Sequence, residues 1–456
     1  MLGRPLVCVL LLLPATTLSA DDGQGETTFD GDGVRIVDWA GLESVATAVL
    51  AADDGSLYVG GKALGGDGSF DGAVVRLTPT GALDPAWGSS GLRRVPIDAV
   101  ENADDRLADM FELSDGSLLL SGFSVVNDIT LIENPAIARL TPDGDLDPLF
   151  GDGGVIDFGM PWPSEDYYWA GAVHQLDGKA LYFGACLDCP DNPVVTRPML
   201  LRITIAGATD SGFSGNGWEV PTTGPWSTIY PFDVAFDALG RILVLGKDGA
   251  NLSVTRLSGG GILDATFGGG DGVAPFAMPA GHSPPYHLAV DPESGAMLVS
   301  MGFSSGPLAG FGAVLRLTSA GAIDATYAGD GLAELAFDAG LAVRSLLLQS
   351  DGKLAGAGQI ASSAPGGDLD FFLFRLLANG VLDDDFHGNG VRRVEFGETP
   401  DGQDIAYAST LAGGKLVAVG RVTADGIDNF AVSRSTSALI FEDGFERSTA
   451  SAWLGN

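Results

Sequence analysis

A short turn, in which an aromatic residue is followed by glycines, recurs seven times along this chain of 456 residues. The spacing between successive aromatics is 58, 63, 63, 54, 60 and 59 residues. A unit of this length suits four short strands with their loops and is too long for a helical-hairpin repeat. Because the units cover almost the whole chain, we expect a single repeat domain. The seven aromatics are Phe29, Trp87, Phe150, Phe213, Phe267, Tyr327 and Phe386.

Strand-like runs alternate with turn signals inside each unit. One pair of runs is joined by a two-residue turn of the type that accepts positive φ angles. It reads Asp-Gly at residues 54–55, 115–116, 177–178 and 351–352. Apolar runs such as Ile242-Leu243-Val244 follow the turn and are typical of strands buried on both faces. The pattern predicts four strands per unit and an all-β fold.

A single arginine recurs in one run of every unit, and an aspartate follows it eight positions later in six units. Such an aspartate can cap the next turn and pair with a neighbouring arginine. A catalytic pair would occur once, whereas this one is repeated, so we interpret it as structural. Glu26 holds the acidic position ahead of Phe29. The recurring residues are Arg76, Arg139, Arg202, Arg256, Arg316, Arg375 and Arg434, with Asp84, Asp147, Asp210, Asp264, Asp324 and Asp383.

The units share the form Leu-Asp-x-x-Phe-Gly-x-x-Gly, as in residues 146–154, followed by an Asp-Gly hairpin and then Ala-x-x-Arg-Leu-x-x-x-Gly. This pattern resembles the delta-60 repeat family of secreted bacterial proteins. The resemblance spans Phe29 to about Ser435. It implies a β-propeller-like array and no agreed activity or catalytic residues.

Seven units predict a seven-bladed β-propeller of four-stranded blades, because a ring of blades leaves only short, protected edges. If the run before each Asp-Gly turn is the innermost strand, the first run, at about residues 34–38, has no preceding blade. We predict that it closes the seventh blade beside residues 429–435, which removes two open edges. The alternative is that residues 439–441 supply the missing strand.

The two ends of the chain lie outside the repeats. Residues 1–20 contain Arg4, an apolar run from Leu6 to Pro14 and then small and polar residues, which is the outline of a signal peptide. This run is too short to span a bilayer, and no other stretch reaches the ~18 apolar residues that spanning needs. We therefore predict a signal peptide at 1–20, a propeller at 21–436, a tail at 437–456, a secreted or periplasmic location and no membrane insertion.

Acidic residues outnumber basic ones 59 to 24, for a formal charge of −35. This excess opposes binding to phosphate backbones, so nucleic acid is not expected as a partner. In an oxidising compartment, Cys186 and Cys189 are predicted to form a local disulfide or to remain inert thiols. No cofactor is expected, although acidic pairs in loops leave calcium open as a ligand. The pairs are Asp67/Asp71, Asp188/Asp191, Asp368/Asp370 and Asp425/Asp428.

Residues that do not recur are the candidates for function. The Asp-Gly turns share one face, and the opposite face carries long, unlike loops at residues 123–134, 158–169, 185–198 and 360–370. Aromatic rings beside carboxylates suit a glycan or a peptide, and the alternative is that the rings pack between blades or plug the channel. The candidates are Trp162, Glu165, Asp166, Tyr167, Tyr168, Trp169, Trp226, Tyr230, Tyr286 and His287.

The leading hypothesis is a secreted, non-catalytic scaffold that binds a glycan or a protein through this face. An alternative is a glycan-acting lyase or hydrolase, with Glu165, Asp166, His282 or His287 as acid or base. A third is a calcium-stabilised surface adhesion or matrix component. His174 lies on a predicted inner strand, where a buried core or channel histidine is expected.

Overall fold

The computed structural model describes residues 23–97, 104–127, 132–159, 167–186, 196–221, 224–248, 251–303, 311–336, 340–361, 369–396 and 402–436. Regular structure in these segments is β-strand throughout, which confirms the all-β prediction. Nothing helical within them has the length and apolar character needed to cross a membrane.

The strands follow the chain in the order and with the bounds given next. They are β1 (Val34–Val37), β2 (Ser44–Ala51), β3 (Leu57–Leu64), β4 (Phe70–Leu77), β5 (Leu92–Val95), β6 (Asp105–Glu112), β7 (Leu118–Asn127), β8 (Ile132–Leu140), β9 (Val155–Asp157), β10 (Tyr167–His174), β11 (Ala180–Cys186), β12 (Arg197–Ile203), β13 (Trp218–Glu219) and β14 (Tyr230–Phe236). The second half comprises β15 (Ile242–Asp248), β16 (Asn251–Leu257), β17 (Val273–Ala277), β18 (His282–Val290), β19 (Met297–Phe303), β20 (Phe311–Leu317), β21 (Leu332–Ala336), β22 (Leu341–Leu348), β23 (Leu354–Ala361), β24 (Leu369–Leu376), β25 (Val391–Val394), β26 (Ile405–Ala412), β27 (Lys415–Ala424) and β28 (Ile427–Arg434).

The described strands group into antiparallel meanders of four, here called blades. Blades 1 to 6 are β2–β5, β6–β9, β10–β13, β14–β17, β18–β21 and β22–β25, and blade 7 is β26–β28 with β1. A bridge between Gly302 and Ala342 links blades 5 and 6. The first strands of neighbouring blades contact one another in turn, from β2 round to β26 and back to β2. They are the inner strands, and the blades form the ring of a β-propeller.

The N-terminal strand closes this ring. β1 pairs antiparallel with β28, from Val34 opposite Ser433 to Val37 opposite Phe430, as the sequence predicted. Pairing in this register covers the outer edge of β28, which would otherwise be open. The rival strand at 439–441, the predicted signal peptide and the predicted tail lie outside the described residues.

Polar and apolar contacts reinforce the joint between the chain ends. The Glu26 carboxylate accepts hydrogen bonds from Arg434 and from Lys415. Phe29 and Trp39 from the N-terminal segment are buried in one core with Phe430. The ring is therefore held shut by residues about four hundred positions apart in sequence.

The repeated arginine holds the turn of its own blade and contacts the next. Arg256 donates from Nε to Asp264 at 2.9 Å, and its guanidinium lies 4.4 Å from the centre of the buried Phe267 ring. Its Nη1 also donates to the carbonyl of Ser319 in blade 5. The aspartate caps the turn by accepting from the amide of Thr266. Equivalent ion pairs are Arg76–Asp84, Arg139–Asp147, Arg202–Asp210, Arg316–Asp324, Arg375–Asp383 and Arg434–Glu26.

Every inner strand has a one-residue bulge in its first half or at its middle, which re-aims one side chain, and β18 has a second irregularity between His282 and Pro285. The bulged residues are Thr47, Ala108, Ala170, Phe232, Tyr286, Arg344 and Tyr407. Beside the bulge, six of the second strands carry glycine, where a Cβ would approach an inner-strand carbonyl oxygen. At Gly358 that distance, to the carbonyl oxygen of Ala342, would be 1.9 Å. The six are Gly61, Gly122, Gly184, Gly246, Gly358 and Gly420.

Candidate ligand-binding site

Most of the described candidate residues lie on inner strands and not on loops, which corrects the sequence-based placement. Tyr167, Tyr168 and Trp169 begin β10, and Tyr230 begins β14. Tyr286 and His287 lie within β18. The strand starts earlier than the loop-like composition of residues 158–169 suggests, because aromatic residues pair well across strands. Trp162, Glu165 and Asp166 lie outside the described residues.

Three candidates are buried, so they do not present a surface to a ligand. Trp169 is 1% exposed and packs between blades 2 and 3 beside Phe123 and Tyr182. Trp226 is 3% exposed in the core shared by blades 3 and 4. His287 is 6% exposed, and burial lowers its pKa to about 4, so the ring is neutral near pH 7. Alternation along a strand sends neighbouring residues to opposite sides, and composition does not reveal which side is open.

Two candidate tyrosines from neighbouring blades stack on each other. The rings of Tyr168 and Tyr230 have centroids 6.1 Å apart and planes 17° apart, and both residues are partly exposed. Phe232 meets Tyr230 edge-on at 5.8 Å. The ammonium of Lys247 lies 6.0 Å from the Tyr230 ring centre. Burial, reinforced by Tyr168, raises the pKa of Tyr230 to about 12, so its hydroxyl stays protonated.

A second cluster surrounds Arg344, the bulged residue of β22. Its guanidinium carbon lies 4.8 Å from the centre of the Tyr286 ring and 5.2 Å from that of Tyr407. Its Nε donates to Oε1 of Gln359 at 2.6 Å. Tyr286 belongs to blade 5 and Tyr407 to blade 7, so the arginine bridges three blades. Cation–π contacts on two sides fix the plane of the guanidinium.

The part-exposed Tyr168, Tyr230, Tyr286 and Arg344, with the buried Phe232 and Tyr407 that pack against them, form what we call the inner-strand rim. All six lie near the beginning of an inner strand, at the end of the ring opposite the Asp-Gly turns. Phe232, Arg344 and Tyr407 were not among the sequence-based candidates. The glycine that recurs on the second strand is the signal that could have located their bulges.

Tyr167 is engaged with blade 2. Its hydroxyl donates to Oδ1 of Asn134 at 3.2 Å, and Nδ2 of Asn134 donates to Asp157 at 2.9 Å. Burial raises the pKa of Asp157, although the hydrogen bond from Asn134 opposes this shift. The chain of contacts fixes the first residue of β10 beside the rim.

An aspartate, a histidine and a serine form a buried relay between blades 2 and 3. Nδ1 of His174 lies 3.2 Å from Oδ2 of Asp109, and Nε2 lies 3.1 Å from Oγ of Ser121. The order of groups is that of a hydrolytic triad. The side chains of His174 and Asp109 are 1% and 0% exposed, and Ser121 is fully buried, so a substrate cannot reach the hydroxyl. The relay satisfies polar groups in the blade interface, in line with the expected buried histidine.

The remaining polar candidates have local partners. His282 is 4% exposed, and its Nε2 lies 3.9 Å from Glu334, beyond hydrogen-bond distance. The Asp67 carboxylate accepts a hydrogen bond from the amide of Ser69.

No group of three His, Cys, Asp or Glu residues placed to hold a metal occurs in the described segments. Cys186 is disulfide-bonded, and Cys189 lies outside the described residues.

Two of the acidic pairs, Asp67/Asp71 and Asp425/Asp428, are fully described, and Asp368/Asp370 is described in part. Asp71 lies 3.4 Å from Arg94, Asp370 lies 3.0 Å from Arg393, and Asp428 is paired with Arg421. Asp188, Asp191 and Asp368 lie outside the described residues. The described carboxylates of the Asp67/Asp71 and Asp425/Asp428 pairs therefore support loop structure and arginine contacts.

Comparison with known proteins agrees with the propeller. The chain matches the model of a domain of unknown function (DUF5122) beta-propeller at residues 52–86, 113–150 and 349–386. No curated protein matches it.

Similar solved structures include a protein of unknown function from Dyadobacter fermentans, at 11% identity over 89% of this chain and 99% of that one, with a TM-score of 0.44. A puromycin hydrolase shares 13% identity over 83% of this chain and 58% of its own, with a TM-score of 0.39. A glucose dehydrogenase shares 13% identity over 73% and 96%, with a TM-score of 0.40. The match to the family model and the ring of four-stranded blades together identify the chain as a β-propeller protein.

Proposed function

We propose that this protein is an exported, non-catalytic β-propeller that binds a glycan at the inner-strand rim. The observation that carries the proposal is the rim itself, where three part-exposed tyrosines and an arginine lie at the same end of the inner strands. The other end carries the repeated turns, whose arginines and aspartates hold the blades together. Export and membership of the delta-60 repeat family belong to the proposal and are supported by the leader-like first twenty residues and by the repeat pattern.

Tyrosines with a polar tip and an apolar ring suit a sugar. The ring packs against the C–H face of a pyranose, and the hydroxyl can donate to a sugar oxygen. Protein loops around a rigid ring of strands often complete such sites. Tyr168, Tyr230 and Tyr286 are partly exposed, so each retains surface for such a contact.

The acid and base candidates in the described segments support binding over chemistry. His287 is buried and neutral, and His282 lies 3.9 Å from the acid beside it, Glu334. The Asp109 relay is enclosed between blades. General acid–base catalysis needs a group of suitable pKa within reach of the substrate. His287 and the Asp109 relay are buried away from a substrate, and His282 has, among the described residues, no acid within hydrogen-bond distance to activate it.

Replacing Tyr230 by alanine is expected to weaken binding of the recognised glycan about tenfold or more, since it removes one ring of the stacked pair and uncovers Phe232. The ligand is first found by a thermal-shift screen of the mature protein against neutral and acidic polysaccharides, because a ligand of the folded state raises the unfolding temperature. Affinity is then measured by calorimetry on purified oligosaccharides of the best polysaccharide.

Two control variants accompany this measurement. Tyr230→Phe keeps the ring and is expected to retain most of the affinity. Leu149→Ala changes a side chain that is 93% exposed on the turn-bearing end and is expected to have no effect. Binding that survives Tyr230→Ala, or that falls equally in Leu149→Ala, would contradict the rim as the site. A panel without any binder would contradict the glycan proposal as a whole.

A further inference from the structure

We propose that Arg344 forms a carboxylate subsite, so that the glycan carries one uronic acid or a similar acidic sugar at this point of the rim. The inference rests on the proposed function and adds the chemical class of the ligand. It is argued from the geometry of Arg344, from the charges around it and from the overall charge of the chain.

The guanidinium of Arg344 is oriented in advance and only partly used. Its guanidinium carbon lies 4.8 and 5.2 Å from the ring centres of Tyr286 and Tyr407, and its Nε donates a hydrogen bond to Gln359. Within the described residues Nη1 and Nη2 make no hydrogen bond, so their donors are available to a ligand. A planar guanidinium with two free donors matches the two oxygens of a carboxylate, and fixing its plane beforehand reduces the entropy lost on binding.

Three other arginines near this end of the blades are paired with carboxylates. Arg106 binds Glu133 through two nitrogens at 2.8 Å. Arg393 and Arg421 are paired with Asp370 and Asp428. Among the described residues, Arg344 has no such acid within 4.0 Å. An arginine without an acidic partner among the described residues, in a chain with 59 acidic residues, indicates a cation that can receive an external anion.

The net charge of the chain restricts which anion fits. With a formal charge of −35, the chain repels an extended polyanion, because salt does not fully screen charges that lie this close together. A single carboxylate on an otherwise neutral oligosaccharide avoids most of this repulsion and still gains the charge-assisted hydrogen bonds. Tyr286 and Tyr230, in the neighbouring blades 5 and 4, would then contact the uncharged sugars.

The test compares one probe in two charge states. The probe is xylotriose bearing a single glucuronic acid, and its partner is the same oligosaccharide with the uronate converted to the methyl ester. Calorimetry on the wild-type protein is expected to show at least tenfold tighter binding of the acid. In Arg344→Gln the acid is expected to bind no better than the ester. Arg344→Lys keeps the positive charge but lacks the two parallel donors of the guanidinium. It is expected to recover only part of the preference for the acid over the ester.

Control variants and outcomes separate this proposal from the preceding one. Arg393→Gln removes a cation that already has an acidic partner and is expected to leave the preference unchanged. If the wild type binds acid and ester equally and Tyr230→Ala still weakens the binding of both, the carboxylate subsite is overturned and the glycan site is left intact. Arg344-dependent capture of a peptide through its free C-terminal carboxylate, without binding of either oligosaccharide, would overturn the glycan assignment itself.

Discussion

Replacing Glu26 by glutamine is expected to lower the free energy of unfolding by about 3 kcal/mol, because it leaves a buried arginine without its anion. The side chains of Glu26 and Arg434 are 7% and 8% exposed, and Lys415 donates to the same carboxylate. These contacts join the segment before β1 to the end of β28. The measurement is chemical denaturation of the mature protein, together with the midpoint of thermal unfolding.

The same pair predicts a dependence on pH. Burial by itself raises the pKa of Glu26, but hydrogen bonds from Arg434 and Lys415 outweigh it and bring the value from 4.5 to about 2. A folded-state pKa below the unfolded value means that the stabilisation is complete above pH 4.5 and is lost as the pH falls toward 2. The stability difference between wild type and Glu26→Gln is therefore expected to shrink over this range.

Asp324→Asn is the matched control, since Asp324 holds the same position in its repeat. Its oxygen lies 3.4 Å from Nε of Arg316, and the two side chains are 18% and 25% exposed. A pair of this exposure contributes about 1 kcal/mol or less. Equal losses in the two variants would show that the joint between the chain ends has no special role in stability.

Replacing Gly358 by alanine is expected to cost about 3 kcal/mol or more and to displace Arg344. The new Cβ would lie 1.9 Å from the carbonyl oxygen of Ala342, and backbone atoms on both strands would have to move. The amide nitrogen of Arg344 is 3.2 Å from the same Cβ position. The readouts are denaturation and the strength of carboxylate binding, both of which are expected to fall.

Gly66→Ala is the control for this substitution. Gly66 lies in the connection between β3 and β4, where a Cβ would meet nothing within 4 Å and where the backbone does not have a positive φ. Its replacement is expected to leave stability nearly unchanged or slightly raised. A Gly358→Ala protein as stable as Gly66→Ala would contradict the steric account of the bulge.

Much of the fold could be predicted from the sequence, because repetition exposes positions that recur. The closure by β1 followed from a single argument, namely that the first run had no preceding blade. The Arg256–Asp264 contact was also visible as a fixed spacing of eight residues. Such features are set by neighbours in the same unit or by the order of units, which a sequence displays directly.

The candidate site could be predicted only in part. The sequence located Tyr168, Tyr230 and Tyr286, but it also included Trp169, Trp226 and His287, which the structure buries. Aromatic residues serve both as core and as binding surface, and composition does not separate the two. The side of the strand on which Tyr286 and His287 lie depends on the bulge at Tyr286.

The repeat by itself determined that this chain is an all-β array with a strand from the N-terminus in its last blade. Tertiary structure alone decided that Arg344 lies between Tyr286 and Tyr407, since the three belong to different blades and the residue type at the bulge differs from blade to blade. The physical reason is that hydrogen bonding and turn chemistry act between residues close in sequence and so leave a periodic trace. The bulges also recur, but the contacts between their side chains depend on residues that differ from blade to blade and on the packing of separate units, so periodicity does not reveal them.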